Sequence, residues 1–115
     1  LIDIMATCVD LAGATYPQEF AGHRIKPMEG VSLRPALSGK PLTTEPRPLF
    51  WEHEGNRAVR VGRWKLVAVH NGPWELYDME ADRTELNDLA KKYPQKTEQL
   101  KTMYESWAKR CGVRL

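Results

Sequence analysis

The chain has 115 residues, with 17 Lys plus Arg against 15 Asp plus Glu, a formal charge of +2, and 42% hydrophobic and 28% charged residues. This length sets a ceiling of one domain of typical size, about 100–150 residues, and the balance of charged and apolar residues excludes both a disordered tail and a nucleic-acid arm of clustered positive charge. No apolar run approaches the ~20 residues that span a bilayer, and Cys8 and Cys111 lie near opposite ends with no CxxC spacing, so neither a disulfide framework nor a zinc site is written into the chain.

The opening segment, Leu1 to Gly13, places Ile2, Met5, Val9 and Ala12 at helical spacing, with Ile4, Cys8 and Leu11 widening the stripe. Gly13 suits the left-handed position past a helix end. A helix so broadly apolar needs packing partners on two sides. The start Leu1-Ile2-Asp3, without Met, is expected of a piece of a longer protein. Ala14 to Gly30, with Pro17 and Pro27, reads as surface connection, and Ser32 is placed to cap a short helix through Leu37. Lys40 to Pro48 carries Pro41, Pro46 and Pro48 and reads as a linker.

Four runs rich in aromatic and β-branched residues follow: 49–54, 57–61, 64–69 and 74–77. The turn formers Gly55-Asn56, Gly62-Arg63 and Asn71-Gly72 separate them, which predicts an antiparallel meander. Alternation sets Trp64, Leu66 and Ala68 on one face against Lys65 and Val67, and Trp74 and Leu76 on one face against Glu75 and Tyr77. Asn87 is placed to cap a short helical turn, and Pro94 opens a helix that Gly112 ends. Along it Leu100, Met103, Tyr104, Trp107 and Cys111 form one stripe. The expected architecture is α+β, a four-stranded antiparallel meander over 49–77 packed against a C-terminal helix at about 94–111.

Candidate chemistry concentrates at one hairpin tip. Glu52, His53, Glu54, Asn56 and Arg57 together offer carboxylates, an imidazole, an amide and a guanidinium, a set suited to an anionic or hydroxylated ligand. The simpler alternative is a hairpin end satisfied by its own charges. His23 and His70 fall in segments expected to be exposed. No G-x-S-x-G elbow, phosphate loop or H-E-x-x-H pair occurs, and the acidic stretch Asp78 to Asp82 lacks the Gly and terminal Glu of a calcium loop. The expectation is therefore no catalytic and no metal-ligating residue in this chain. Trp51, Trp64 and Trp74, interleaved with Arg57, Arg60, Arg63 and Lys65, suggest a second class of function, a stand-alone carbohydrate- or nucleic-acid-binding module built on the sheet.

The run from Leu49 to Val67, followed by Trp74 to Pro94, resembles the C-terminal region of the sulfatase family, bacterial arylsulfatases in particular. The matching features are Arg57-Ala58-Val59-Arg60, Trp64-Lys65-Leu66, and Leu76-Tyr77-Asp78 followed by Asp82, Glu85, Asn87 and Leu89. At the front, Ile2-Asp3-Ile4-Met5-Ala6-Thr7 with Leu11-Ala12-Gly13 is similar to the family's V-D-[IL]-x-P-T helix, with Ala6 in place of proline, and Gly30-Val31-Ser32-Leu33 to its G-x-S-L segment.

The resemblance implies a sulfuric ester hydrolase with an alkaline-phosphatase-like fold, in which residues 1–47 supply the last helix of a larger catalytic domain and a Pro-rich connection, and 48–115 the C-terminal subdomain. Calcium and a formylglycine made from C/S-x-P-x-R are expected in that larger domain, which would also be the partner covering helix 2–12; without it the chain is expected to self-associate there. The substrate would be a sulfate ester, contacted beyond its sulfate by His53, Glu54, Asn56 and Arg57, with no nucleic-acid or membrane partner. The family resemblance fits a periplasmic or extracellular setting.

Overall fold

A computed structural model describes residues 1–42 and 46–113, so the middle of the expected linker, residues 43–45, and the last two residues lie outside it. The chain divides into two compact units, Leu1–Thr44 and Glu45–Leu115.

In the first unit α1 (Ile2–Leu11) ends at Gly13, which has φ +62°, the left-handed conformation glycine adopts without steric cost. The helix does not engage its own unit through the apolar stripe. Its polar positions Asp3, Thr7 and Asp10, spaced i, i+4, i+7, face the segment 31–34. The Val31 amide donates to Asp3 Oδ1 at 2.8 Å, the Leu33 amide to Thr7 Oγ1 at 2.9 Å, and the Ser32 hydroxyl to Asp10 Oδ2 at 2.5 Å. The backbones meet so closely that a Cβ on Gly30 would stand 2.0 Å from the Ile2 carbonyl oxygen. Ile2, Ile4, Met5 and Leu11 remain more than half exposed.

Ser32 is thus a partner of α1 and not the N-cap of the short helix that follows, which is Leu33. The short α2 (Arg34–Leu37) starts from Leu33 without a side-chain cap in its N-cap position, and the Ser32 hydroxyl accepts the Arg34 amide at 3.1 Å. Within the expected surface connection the chain makes a small hairpin, β1 (Glu19–Phe20) and β2 (His23–Arg24). Its turn residues Ala21 and Gly22 have φ +49° and +78°, a pair of positive values that marks a type I′ turn. Two-residue strands are too short to show a period, which is why the sequence reading passes over them.

The second unit is the expected α+β layer pair. Strands β3 (Leu49–His53), β4 (Asn56–Val61), β5 (Trp64–Ala68) and β6 (Glu75–Asp78) form an antiparallel sheet in the order β3-β4-β5-β6. Helix α3 (Pro94–Cys111) lies over β4 and β5. The register aligns Phe50 with Val59, Val59 with Leu66, and Leu66 with Leu76, so one sheet face presents a row of apolar side chains to the helix. Val59, Leu66 and Leu76 are buried against Leu100, Tyr104 and Ala108, and burying each of the leucines contributes about 1.5–3 kcal/mol. At the rim Phe50 stacks on Trp107 with centroids 5.1 Å apart and planes 6° from parallel. Gly112, at φ +75°, ends α3, and the Val113 amide reaches back to the Ala108 carbonyl at 2.9 Å, a Schellman closure.

Asn87 caps no helix. The segment between β6 and α3 is a loop stapled by aspartates. The Leu86 and Asn87 amides both donate to Asp82 Oδ2, at 2.9 and 2.8 Å, and the Leu76 and Ala90 amides to Asp88 Oδ1, at 3.0 and 2.8 Å. A carboxylate accepting two backbone N–H groups satisfies a loop as a helix would.

Candidate functional site

The chemistry singled out in the sequence sits where β3 turns into β4. The turn residues are Glu54 and Gly55, at φ +52° and +82°, so that His53 pairs with Asn56. Asn56 therefore belongs to the strand, one position away from the Gly55-Asn56 turn the composition suggests. The meander requires this register, because it brings Val59 opposite Phe50 on the helix side. In consequence a glutamate occupies a left-handed position that Asn, Asp or Gly fills more readily.

Strand alternation then separates the candidate residues. Glu52 and Arg57 are cross-strand partners on the helix side, with Phe50 and Val59, whereas His53 lies on the opposite side with Trp51. His53 and Glu54 are exposed. The Arg57 guanidinium carbon stands 4.9 Å from the Trp74 ring centroid, and its terminal nitrogen donates to the Gly72 carbonyl at 3.5 Å. The Asn56 side-chain amide donates to the His53 carbonyl at 3.0 Å and its oxygen accepts the His70 amide at 3.1 Å, tying the β3-β4 hairpin to the turn after β5. The Glu52 carboxylate accepts the Gly55 amide at 2.9 Å. Glu52 and Asn56 thus shape the tip, and Arg57 is packed inward. Only His53 and Glu54 of the candidate set project freely from it.

Behind the tip is a cavity of about 80 Å³ lined by Glu52, Gly55, Arg57, His70, Asn71 and Tyr104 among others. Burial raises the Tyr104 phenol above its ordinary range, and the negative charge of Glu52 adds to this. Tyr104 appears in the sequence only as one member of the core stripe, and nothing in that pattern marks its hydroxyl.

The three sheet tryptophans do not make one platform. Trp64 and Trp74 pack into the core under α3, edge-on to Tyr93 and Tyr104 at 5.4 Å each. Trp51 is on the other face of the sheet and 50% exposed. Without a common stacking surface, the module reading of the Trp-bearing sheet has no support.

The acidic run leaving β6 is structural in its contacts. Asp78 is buried and accepts the Arg63 Nε at 2.9 Å and its terminal nitrogen, and the Glu80 amide at 3.1 Å. Arg63 holds the Asp78 carboxyl below the usual carboxylate range, and the Asn87 and Leu86 amides do the same for Asp82. Neither group expected of the larger domain fits these residues. Among the described residues no three His, Cys, Asp or Glu side chains come together to hold a metal ion. Cys8 is followed by Val9-Asp10 and Cys111 by Gly112-Val113, so neither is set in C-x-P-x-R. No helix among the described residues is long and apolar enough to cross a membrane.

No protein-family model matches the chain. Individual proteins do. The chain is 33% identical over 104 residues to an uncharacterized sulfatase of Schizosaccharomyces pombe, covering 82% of this chain and 18% of that protein. It is 35% identical over 96 residues to the choline-sulfatase of Rhizobium meliloti, covering 77% and 17%. The crystal structure of Ps i-CgsB superposes with a TM-score of 0.67 at 26% identity, covering 92% of this chain and 23% of the other. The chain thus spans about a fifth of the length of the relatives it matches. By sequence and by fold the chain is similar to sulfatases, and its α+β sheet backed by one helix matches a sulfatase C-terminal subdomain.

Proposed function

We propose that this chain is the C-terminal part of a sulfuric ester hydrolase of the arylsulfatase type, and that the β3-β4 tip walls the cleft in which a sulfate ester binds. The observation that carries the reading is the tip itself. It presents an exposed imidazole and carboxylate, His53 and Glu54, on a turn anchored from both sides by Asn56. A turn whose backbone is anchored this way loses little freedom on meeting a ligand, and the two groups it carries are suited to select the alcohol part of an ester.

On this reading calcium and formylglycine reside in the larger part of the protein, where they supply the electrophilic and nucleophilic chemistry of sulfate-ester cleavage. The residues of this chain bind and orient. The apolar stripe of α1, exposed at Ile2, Ile4, Met5 and Leu11, is the surface that the larger domain covers. Its exposed apolar area needs such a neighbour.

The test is kinetic and uses the full-length enzyme. His53→Ala and Glu54→Gln each remove one polar contact, and KM should rise by roughly three- to tenfold for substrates that reach the tip, with kcat nearly constant. Unchanged kinetics over several sulfate esters of different alcohols would remove the tip from the cleft.

A further inference from the structure

The Tyr104 hydroxyl and Arg57 Nε are buried polar atoms with no hydrogen-bond partner among the described residues. Tyr104 is fully buried, at 0% exposure. A buried phenol without a partner costs about 1–3 kcal/mol, and such groups usually mark something that fills the space beside them. Both residues line the cavity of about 80 Å³ behind the hairpin tip, well above the ~10–15 Å³ that admits one water.

The rest of the wall decides what fits. Arg57 brings a positive charge and an N–H donor. Its cross-strand partner Glu52 brings a negative charge and acceptor oxygens, so the two charges offset each other. An incoming anion would gain from Arg57 and be opposed by Glu52 at similar range. A neutral hydroxyl meets both groups, accepting from Arg57 Nε and donating toward the Glu52 carboxylate, while the Tyr104 hydroxyl takes either role. The wall opposite is preformed. His70 lies so close on Gly55 that a Cβ there would be 1.9 Å from the imidazole Nδ1, and the Asn56 amide fixes the His70 backbone.

We infer that the cavity lined by Glu52, Arg57, His70 and Tyr104 is a binding site for the hydroxyl group of a small neutral alcohol or polyol, filled by water when no such ligand is present. The inference stands on the cavity alone and does not depend on the tip facing a sulfate ester.

Ethylene glycol and sodium sulfate are the probes, titrated separately into the 115-residue chain while the Arg57 Nε–H and the Gly55 and His70 amides are followed by NMR. Ethylene glycol should shift these resonances saturably, with a dissociation constant in the millimolar range expected of so few heavy atoms, and sulfate should not. Tyr104→Phe should keep the amide spectrum of the fold and weaken glycol binding about fivefold, the loss of roughly one hydrogen bond. Glu52→Gln, a change at the exposed rim, should admit sulfate by removing the opposing charge. Shifts linear in glycol without saturation would leave water as the sole occupant and overturn the inference. So would wild-type preference for sulfate over glycol, or glycol affinity indifferent to Tyr104→Phe.

Discussion

Arg57 and Trp74 form a cation–π pair across the end of the sheet, the guanidinium carbon 4.9 Å from the indole centroid, with the indole itself edge-on to Tyr104 at 5.4 Å. The guanidinium joins the hairpin tip to the core by sitting over an aromatic that is already fixed. Arg57→Ala removes that contact and the packing of the side-chain stem, and should lower unfolding stability by about 1–2 kcal/mol. Arg57→Lys keeps the charge but not the broad planar guanidinium and should fall between. Urea denaturation at constant m-value measures both, and midpoints equal to wild type would show the pair to be without weight.

Gly55 is required twice over, by its φ of +82° and by the imidazole of His70 pressed against it. Gly55→Ala should destabilise by about 1–3 kcal/mol. Glu54 next to it pays the cost of a left-handed backbone with nothing visible in return, so Glu54→Asn should stabilise by about 0.5–1 kcal/mol. Thermal melts of the two variants should move in opposite directions; a shared direction would contradict the turn described.

Gly30 carries a different constraint, with the Ile2 carbonyl oxygen where its Cβ would be. Because the obstacle is backbone, Gly30→Ala forces the segment 30–33 away from α1. Hydrogen exchange at Val31 and Leu33, whose amides donate to Asp3 and Thr7, should then accelerate at least about tenfold, a local loss near 1.4 kcal/mol.

The pH dependence has two limbs. Asp10, Asp78 and Asp82 are held below the ordinary carboxylate range, by Ser32, by Arg63 and by the Asn87 amide respectively. Their contribution is complete above the unfolded-state value of about 3.9 and lost as pH falls through the lower folded values. On the alkaline side, burial and the hydrogen bond to Glu75 push the Tyr77 phenol up to about 12. Its contribution is present below the unfolded-state value of about 10 and lost as pH rises from there toward 12. Denaturation midpoints across pH should therefore fall below about pH 4 and above about pH 10. Tyr77→Phe should reduce the second fall, leaving the part due to the buried Tyr104, whose phenol is also raised, and should not alter the first.

The half-exposed Ile4 and Met5 of α1 predict concentration-dependent self-association of the 115-residue chain. Replacing Ile4 with Glu and Met5 with Lys together should abolish it in light scattering and remove binding of an apolar dye. A monodisperse wild-type monomer with no dye signal would argue that α1 lacks an unfilled face.

The second unit was open to sequence reasoning because each element keeps one period over its length. Leu100, Tyr104 and Trp107 repeat at helical spacing, and Trp64, Leu66 and Ala68 at strand spacing, so faces follow from counting. The Gly62-Arg63 turn falls where its residues predict, between Val61 and Trp64. Placing the β3-β4 turn at Glu54-Gly55 demands a left-handed glutamate, which local preference alone does not suggest, and only the alignment of Phe50 with Val59 selects it. Around α1 the apolar residues carry the period while Asp3, Thr7 and Asp10 make the contacts, because hydrogen bonds to a distant loop leave no periodic trace.

At the candidate site the residue types are legible in the sequence, and strand alternation sets their directions. Arg57 is two positions before Val59, and that spacing alone turns it toward the helix. The partnership of Tyr104 with Arg57 and His70 joins three distant stretches of chain, and only the folded molecule brings them to one cavity.

One amide, that of Asn56, clasps the carbonyl of its own hairpin and the backbone of the next. The two loops consequently behave as a single jaw. A residue inserted after Val69 would displace His53 as surely as one inserted beside it, so any remodelling of this end of the molecule has to alter both loops in concert.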